Sequence, residues 1–225
     1  MTLLRPSVSK LLRVRGSRFS VGTAIGIATK LLHALKGLHY AGYIHRDVKP
    51  GNIAIGRDGE QRRLFLIDFG LAVKYMENNR HLRLTPIDFA GTTEFASIGA
   101  INILDYSRKY DIEAWFYTFL SLFEPLPCTE IIKGIEEFKR RRLEGKPSRR
   151  KALTELLQNC PSNFRSVVIE VVTRIDRMSI EDKPEYEQIE AHLRKYLADN
   201  GVQEFPYDWE EGDSHSPVKR SRSDA

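Results

Sequence analysis

The longest regular pattern of apolar residues lies between residues 20 and 39. Its members recur at steps of three or four residues: Ile25, Ala28, Leu32, Leu35 and Leu38. This spacing predicts an amphipathic helix whose apolar stripe faces the core. Ser20 precedes the stripe and belongs to the residue types that cap helix N-termini, so we expect the helix to begin there.

A second stretch, Tyr110–Phe123, is apolar on almost every side. Its large apolar side chains are Ile112, Trp115, Phe116, Phe119, Leu120 and Phe123. A helix that is apolar all round is buried, which predicts the central helix of the fold. We expect Pro125-Leu126-Pro127 to end it. Further amphipathic helices are predicted at 130–142, 150–158, 163–176 and 185–198, after a short helix within residues 1–18.

Two short apolar runs, Ile53–Gly56 and Leu64–Ile67, flank the turn residues Arg57-Asp58-Gly59. Asp-Gly between apolar runs is a hairpin signal, so the two runs predict paired strands. The predicted fold class is therefore mainly α with a small β-hairpin.

Composition adds limits to this picture. The chain has 225 residues and 41% apolar residues, as expected for about one globular domain. It contains no run of eighteen apolar residues, so we expect no membrane span. Cys128 and Cys160 are predicted to be free thiols in a reducing compartment, which favours the cytoplasm or nucleus. The six histidines lack metal-ligand spacing.

The net charge of +5 is unevenly distributed. Basic residues are dense between Lys139 and Lys151, and a smaller cluster lies at Lys219–Arg222. Nucleic-acid binding is one interpretation of such a run, but a solvated helical face is the better one. Residues 210–225 are polar and rich in serine and basic residues, which predicts a disordered tail.

The strongest chemical signal is His45-Arg46-Asp47-x-Lys49-x-x-Asn52, followed by Asp68-Phe69-Gly70. This combination at this interval resembles the catalytic loop and the metal-binding loop of a protein kinase. Phosphoryl transfer requires positioning and charge neutralisation more than covalent catalysis, and a carboxylate, an ammonium group and oxygen ligands for Mg²⁺ provide these. Lys49 is typical of the serine/threonine kinases.

The resemblance extends to the casein kinase 1 family, and most closely to its tau-tubulin-kinase-like branch. The segments that carry it are Met1–Ser7, Phe19-Ser20, Arg46–Asn52, Asp68–Tyr75, Gly91–Ile98, Asp111–Glu113 and Glu181–Tyr186. Ala-Ser-Ile at Ala96–Ile98 replaces the Ala-Pro-Glu of most kinases. Glu94 departs from the family pattern, because relatives usually place an arginine there. We therefore do not extend to this chain a preference for already phosphorylated substrates.

The resemblance implies a role for each site residue. Asp47 would orient the substrate hydroxyl, and Lys49 would neutralise the γ-phosphate. The Thr92 hydroxyl would contact the side chains of Asp47 and Lys49. Asn52 and Asp68 would hold Mg²⁺, and Asp111 would support the backbone of the catalytic loop. The residues implied for ATP are Leu3 and Leu4 at the adenine pocket, Ser7 at the ribose, Ala54 under the base, and Ile67.

The resemblance covers residues 1–209, beginning at the hinge between the two lobes of a kinase. We therefore expect a partial kinase domain at 1–209, consisting of the hinge and C-terminal lobe without the N-terminal lobe. The first hypothesis is an ATP-dependent kinase acting on serine or threonine of protein substrates. The alternative is an inactive kinase-lobe binding module or truncated isoform. In either case a partner could cover the exposed hinge side.

Overall fold

The computed structural model describes residues 6–16, 19–57, 59–78, 80–82, 92, 95–97, 107–123, 157 and 161–210. The helices in these ranges are α1 (Val8–Arg15), α2 (Val21–Tyr40), α3 (Arg108–Leu120), α4 (Ser162–Arg177) and α5 (Tyr186–Asp199). The strands are β1 (Tyr43–Ile44), β2 (Ile53–Ile55), β3 (Leu64–Leu66), β4 (Val73–Lys74), β5 (Met76–Glu77) and β6 (Arg80–His81). The described chain is mainly helical, as the sequence predicts.

Helix α2 confirms the prediction for residues 20–39. The Ser20 hydroxyl caps it by accepting a hydrogen bond from the Thr23 amide at 3.3 Å. Ile25, Ala28, Leu32 and Leu35 of the predicted stripe are buried, whereas Leu38, near the end of the helix, is half-buried. Helix α2 packs against α3 and α5, so it forms one wall of the core.

Helix α3 is the buried central helix that the sequence predicts, but its bounds differ from Tyr110–Phe123. It begins at Arg108 because the Ser107 hydroxyl caps it. It ends at Leu120, and Phe123 leaves the helical path to bridge Phe19. The indole of Trp115 donates to the carbonyl oxygen of Ala28 at 2.8 Å, which fixes α3 against α2.

Strands β2 and β3 form the predicted antiparallel hairpin. Ile53 pairs with Leu66, Ala54 with Phe65, and Ile55 with Leu64. The connection runs from residue 56 to residue 63 and is therefore longer than the predicted Arg57–Gly59 turn. Strand β1 pairs with β4, and β5 pairs with β6, both antiparallel.

The segment after α5 attaches the hairpin to the start of α2. The Asp208 carboxylate accepts hydrogen bonds from the Ser20 amide and hydroxyl, both at 2.7 Å, and from the Thr23 hydroxyl at 2.9 Å. At the hairpin, the Trp209 indole donates to the carbonyl oxygen of Gln61. Gly22 and Gly26 allow this close approach, because an added Cβ would lie 2.0 Å and 2.6 Å from atoms of residues 203 and 207.

Glu210, which the predicted boundary at 209 assigns to the tail, accepts hydrogen bonds from Nε and Nη2 of Arg62 at its two carboxylate oxygens, both at 2.9 Å. The ordered structure therefore includes Glu210. The predicted helices at 130–142 and 150–158, the basic run at 139–151 and residues 211–225 lie outside the described residues, apart from the buried Leu157. No helix in the described ranges is long and apolar enough to cross a membrane.

We expect Asp208→Ala to lower the free energy of unfolding by about 1–3 kcal/mol, because the Ser20 amide and the hydroxyls of Ser20 and Thr23 lose their acceptor at the start of α2. Chemical denaturation followed by circular dichroism measures this change. The matched control is Asp199→Ala, which removes an exposed carboxylate whose ion pair within the described ranges is with Lys195, four residues earlier. An exposed pair of this kind contributes up to about 0.5 kcal/mol. Equal losses in the two variants would contradict the role of Asp208 as the acceptor at the start of α2.

Candidate active site

The site lies on the segment between β1 and β2, where the chain passes through an irregular loop and one 3₁₀ turn at Pro50–Asn52. This loop is mostly buried: Asp47 is 8% exposed and Asn52 is 5% exposed. The polar atoms of such a loop need partners inside the protein, since water does not reach them. The contacts of the loop therefore define its shape.

Asp111, in the first turn of α3, provides the main support for this loop. Its Oδ2 accepts the amide of His45 at 2.6 Å, and its Oδ1 accepts the amide of Arg46 at 2.9 Å. Arg46 has φ of 72°, a left-handed conformation that is costly for a residue with a side chain. The two hydrogen bonds hold this strained backbone immediately before Asp47.

The buried carboxyl of Asp111 is nonetheless an anion. Burial raises the pKa of this carboxyl. The His39 side chain at 2.9 Å and the two loop amides favour the charged form, and together they lower the pKa by more than burial raises it. The net pKa of Asp111 is below its ordinary value. The carboxylate therefore remains ionised and accepts all three hydrogen bonds at neutral pH.

Asp47 is enclosed by three side chains. Its Oδ2 lies 2.6 Å from Nζ of Lys49 and 3.0 Å from Nδ2 of Asn52. Its Oδ1 accepts both the amide and the hydroxyl of Thr92 at 3.1 Å, and the ammonium of Lys49 donates to that hydroxyl at 2.7 Å. Burial raises the pKa of Asp47, but the Lys49 ammonium and the hydrogen bonds of Thr92 and Asn52 lower it overall.

Asn52 and Asp68 are connected through the backbone, because the amide of Ile67 donates to the carbonyl oxygen of Asn52 at 2.9 Å. The Nδ2 of Asn52 is used on Asp47, so the remaining polar end of that side chain is an oxygen. Asp68 is exposed, has φ of 63°, and receives only a long 3.4 Å bond from the Gly70 amide. One amide oxygen and one accessible carboxylate fit Mg²⁺, which usually takes its other ligands from water and phosphate.

The predicted nucleotide residues are only partly described. Leu3 and Leu4 lie outside the described residues. Ser7 forms an antiparallel bridge with the buried Ala54, and its hydroxyl caps α1 by accepting the Lys10 amide at 3.4 Å. Ile67 is half-buried beside Asn52. The structure thus brings Ser7 and Ala54 together, while the Ser7 hydroxyl already has a structural partner.

Three histidine or tyrosine side chains have contacts that the sequence did not predict: His45 belongs to the predicted motif without an assigned role, and His39 and Tyr186 were not predicted as part of the site. His45 accepts the Asp47 amide at Nδ1, contacts the carbonyl oxygen of Ile67 through Nε2, and packs edge-on against Phe69. His39 bonds Asp111, and Tyr186 bonds His39. The sequence contained one signal that could have identified His39. It continues the apolar stripe of α2 at a four-residue step from Leu35, and a polar side chain at a core position needs a buried hydrogen-bond partner.

Comparison with known proteins agrees with this geometry. The family model for the protein kinase domain matches residues 3–193, and the chain belongs to that family. The chain is 29% identical over 215 residues to a probable serine/threonine-protein kinase of Dictyostelium discoideum. It is also 30% identical over 220 residues to the serine/threonine-protein kinase spe-6 of Caenorhabditis elegans. Each alignment covers 93% of this chain, but only 41% and 56% of the respective relative.

We expect Asp111→Asn to lower the free energy of unfolding at pH 7 by on the order of 3 kcal/mol, since one partner of a buried charged network is lost. The pKa of Asp111 is depressed in the folded state, so its stabilising contribution is complete above the unfolded pKa near 4. That contribution disappears as the pH falls through the folded pKa. The difference between parent and variant should therefore narrow below about pH 4.

Denaturant titrations of both proteins at pH 7, 5, 4 and 3 measure this difference. Asp199→Asn is the control for loss of an exposed carboxylate. A difference between parent and Asp111→Asn that stays constant from pH 7 to pH 3 would show that the ionised carboxylate does not carry the stabilisation.

Proposed function

We propose that this chain forms the phosphate-transfer site of an ATP-dependent protein serine/threonine kinase. The observation that carries the proposal is the environment of Asp47, a buried and ionised carboxylate enclosed by Lys49, Asn52 and Thr92. Membership of the protein kinase domain family and similarity to two serine/threonine-protein kinases support the same activity.

The chemistry follows from the arrangement of charges. Asp47 would accept a hydrogen bond from a serine or threonine hydroxyl of a protein substrate and orient its oxygen for attack. Lys49 would neutralise charge on the transferred phosphate, since its ammonium already lies beside Asp47. Thr92 contacts both groups and would keep them at a fixed separation.

Asn52 and Asp68 would hold Mg²⁺, which neutralises phosphate charge when it is bound. The residues that we propose for ATP are Ser7, Ala54 and Ile67, together with Leu3 and Leu4. The Ser7–Ala54 bridge supports this assignment, because it places the segment that contains the proposed hinge next to the strand that follows the catalytic loop.

At a finer level, we propose that the chain is of casein kinase 1 type and contains the hinge and C-terminal lobe within residues 1–209. Two features support this. The Glu181–Tyr186 segment leads directly into α5 and ends in a fully buried tyrosine, and the helical core is arranged about α3. The sequence Ala96–Ile98 favours the same branch of the kinases.

A kinase-lobe binding module is the second candidate. The observation in its favour is the exposure of the metal-binding loop, where Asp68 is open to solvent and Phe69 is 51% exposed. An exposed aromatic ring beside a charged group is a suitable surface for a covering partner on this side of the site.

Phosphate transfer from ATP–Mg²⁺ to casein tests the two candidates. We expect transfer by the purified chain, and we expect Asp47→Asn and Asp68→Ala each to reduce the rate at least about a hundredfold, because each removes a charge on which positioning depends. The control is Asp199→Asn, which also removes a carboxylate but lies at the end of α5. Transfer that persists in Asp47→Asn would contradict the assigned site, and a folded parent that transfers no phosphate would favour the binding module.

The contribution of Thr92 is tested by Thr92→Val and Thr92→Ser. Valine removes the hydroxyl that links Lys49 to Asp47, and we expect kcat to fall roughly tenfold with the loss of about one charge-assisted hydrogen bond. Serine keeps the hydroxyl and should retain most of the rate. Steady-state kinetics with ATP and casein provide the measurement. Equal activity of the valine variant and the parent would exclude a role for this hydroxyl.

A further inference from the structure

A line of hydrogen bonds leads from the catalytic loop to α5. Asp111 holds the His45 and Arg46 amides, Nε2 of His39 lies 2.9 Å from Asp111 Oδ2, and Nδ1 of His39 lies 2.6 Å from the Tyr186 hydroxyl. The His39 side chain is 0% exposed and Tyr186 is 1% exposed. The line therefore crosses three helices without reaching solvent.

The chemistry of the groups fixes where the protons lie. A carboxylate only accepts, so Nε2 of His39 must carry a proton and donate it to Asp111. Burial raises the pKa of Tyr186, which keeps its phenol protonated and able to donate to Nδ1. The two hydrogen bonds together select one tautomer and one orientation of the imidazole ring.

We propose that Tyr186 is a positioning residue for the phosphate-transfer site, because its hydroxyl holds the His39 ring in the orientation that keeps Asp111 under the His45 and Arg46 amides. This inference rests on the proposed function for its catalytic consequence. Tyr186 lies on α5 and its hydroxyl bonds His39, so it acts on the loop through another residue.

Other contacts of His39 do not replace this hydroxyl. The hydroxyl of Tyr75 bonds the backbone carbonyl oxygen of His39 at 2.9 Å, which fixes the helix backbone but not the rotation of the ring. The rings of Tyr75 and Tyr186 lie 6.4 Å and 6.0 Å from the imidazole, as packing neighbours. Removing only the Tyr186 hydroxyl would leave Nδ1 of His39 as a buried acceptor without a donor. The imidazole ring could then rotate, and its Nε2–H would no longer donate to Asp111.

The test compares Tyr186→Phe with Tyr207→Phe in the full 225-residue chain. Both tyrosines are fully buried, but the phenol of Tyr186 bonds His39, whereas the phenol of Tyr207 bonds Glu204 in the segment after α5. Each variant therefore loses a comparable hydroxyl, and only one loses contact with His39.

The first readout is hydrogen exchange of the His45 and Arg46 amides by NMR, which does not depend on activity. We expect exchange at these two amides to accelerate roughly tenfold in Tyr186→Phe, and to remain at the parental rate in Tyr207→Phe. In the parent, the ¹⁵N shifts of His39 should show a protonated Nε2 and an unprotonated Nδ1. Unchanged exchange in Tyr186→Phe, equal acceleration in both variants, or a protonated Nδ1 in the parent would overturn the proposal.

The second readout is steady-state kinetics. We expect Tyr186→Phe to lower kcat about threefold to tenfold with an unchanged KM for ATP, because the loop loses positioning and the nucleotide contacts are intact. The loss should be smaller in a His39→Gln background, since the hydroxyl acts through that ring. If the losses of kcat in Tyr186→Phe and His39→Gln were additive in the double variant, Tyr186 would act independently of His39, which would contradict the proposal. A parent that transfers no phosphate, combined with the expected exchange result, would refute the proposed function and leave the positioning of the loop supported.

Discussion

The described structure depends most on the buried carboxylate of Asp111. It satisfies two amides of the catalytic loop and one imidazole, and its position at the start of α3 brings the loop, α2 and α3 to one point. The Arg46 amide, whose backbone is left-handed, donates to this carboxylate, so loss of the acceptor on α3 would remove a hydrogen bond that supports the strained backbone. The direction in which Asp47 faces is therefore set by a residue that lies 64 positions later in the chain.

Asp47 and Asp111 are both buried carboxylates with lowered pKa values, but they have different surroundings. Asp111 is held by backbone amides and a histidine, which have fixed positions on packed elements. Asp47 is held by the flexible side chain of Lys49, which is 26% exposed, and by Thr92 from a separate segment. Lys49 can leave Asp47 by a change of side-chain rotamer, as the proposed binding of a substrate hydroxyl would require, whereas the His45 and Arg46 amides can leave Asp111 only if the backbone moves. The first carboxylate suits chemistry and the second suits support.

Local patterns in the sequence predicted the elements well and the long-range site poorly. The helix at 20–39 was placed within about one residue, because its cap and its apolar stripe are both local signals. The ends of α3 were wrong because Ser107 caps it early and Phe123 joins Phe19, a contact across the fold. Thr92 came from family resemblance alone, since no periodicity connects it to Asp47. Tyr186 was missed as a partner of His39, because 147 residues separate them.

The two halves of the candidate site differ in how completely the described residues enclose them. The half around Asp47 is buried and its hydrogen bonds are made before any substrate arrives. The half around Asp68 is exposed, although its φ of 63° and the Ile67–Asn52 hydrogen bond hold it near the loop. Charges act more strongly on one another where water is excluded, so covering Asp68 would strengthen its hold on a cation. Under the proposed function, the group that recognises the substrate hydroxyl is therefore already held by the protein, whereas the strength of metal and phosphate binding would depend on what covers Asp68 and Phe69.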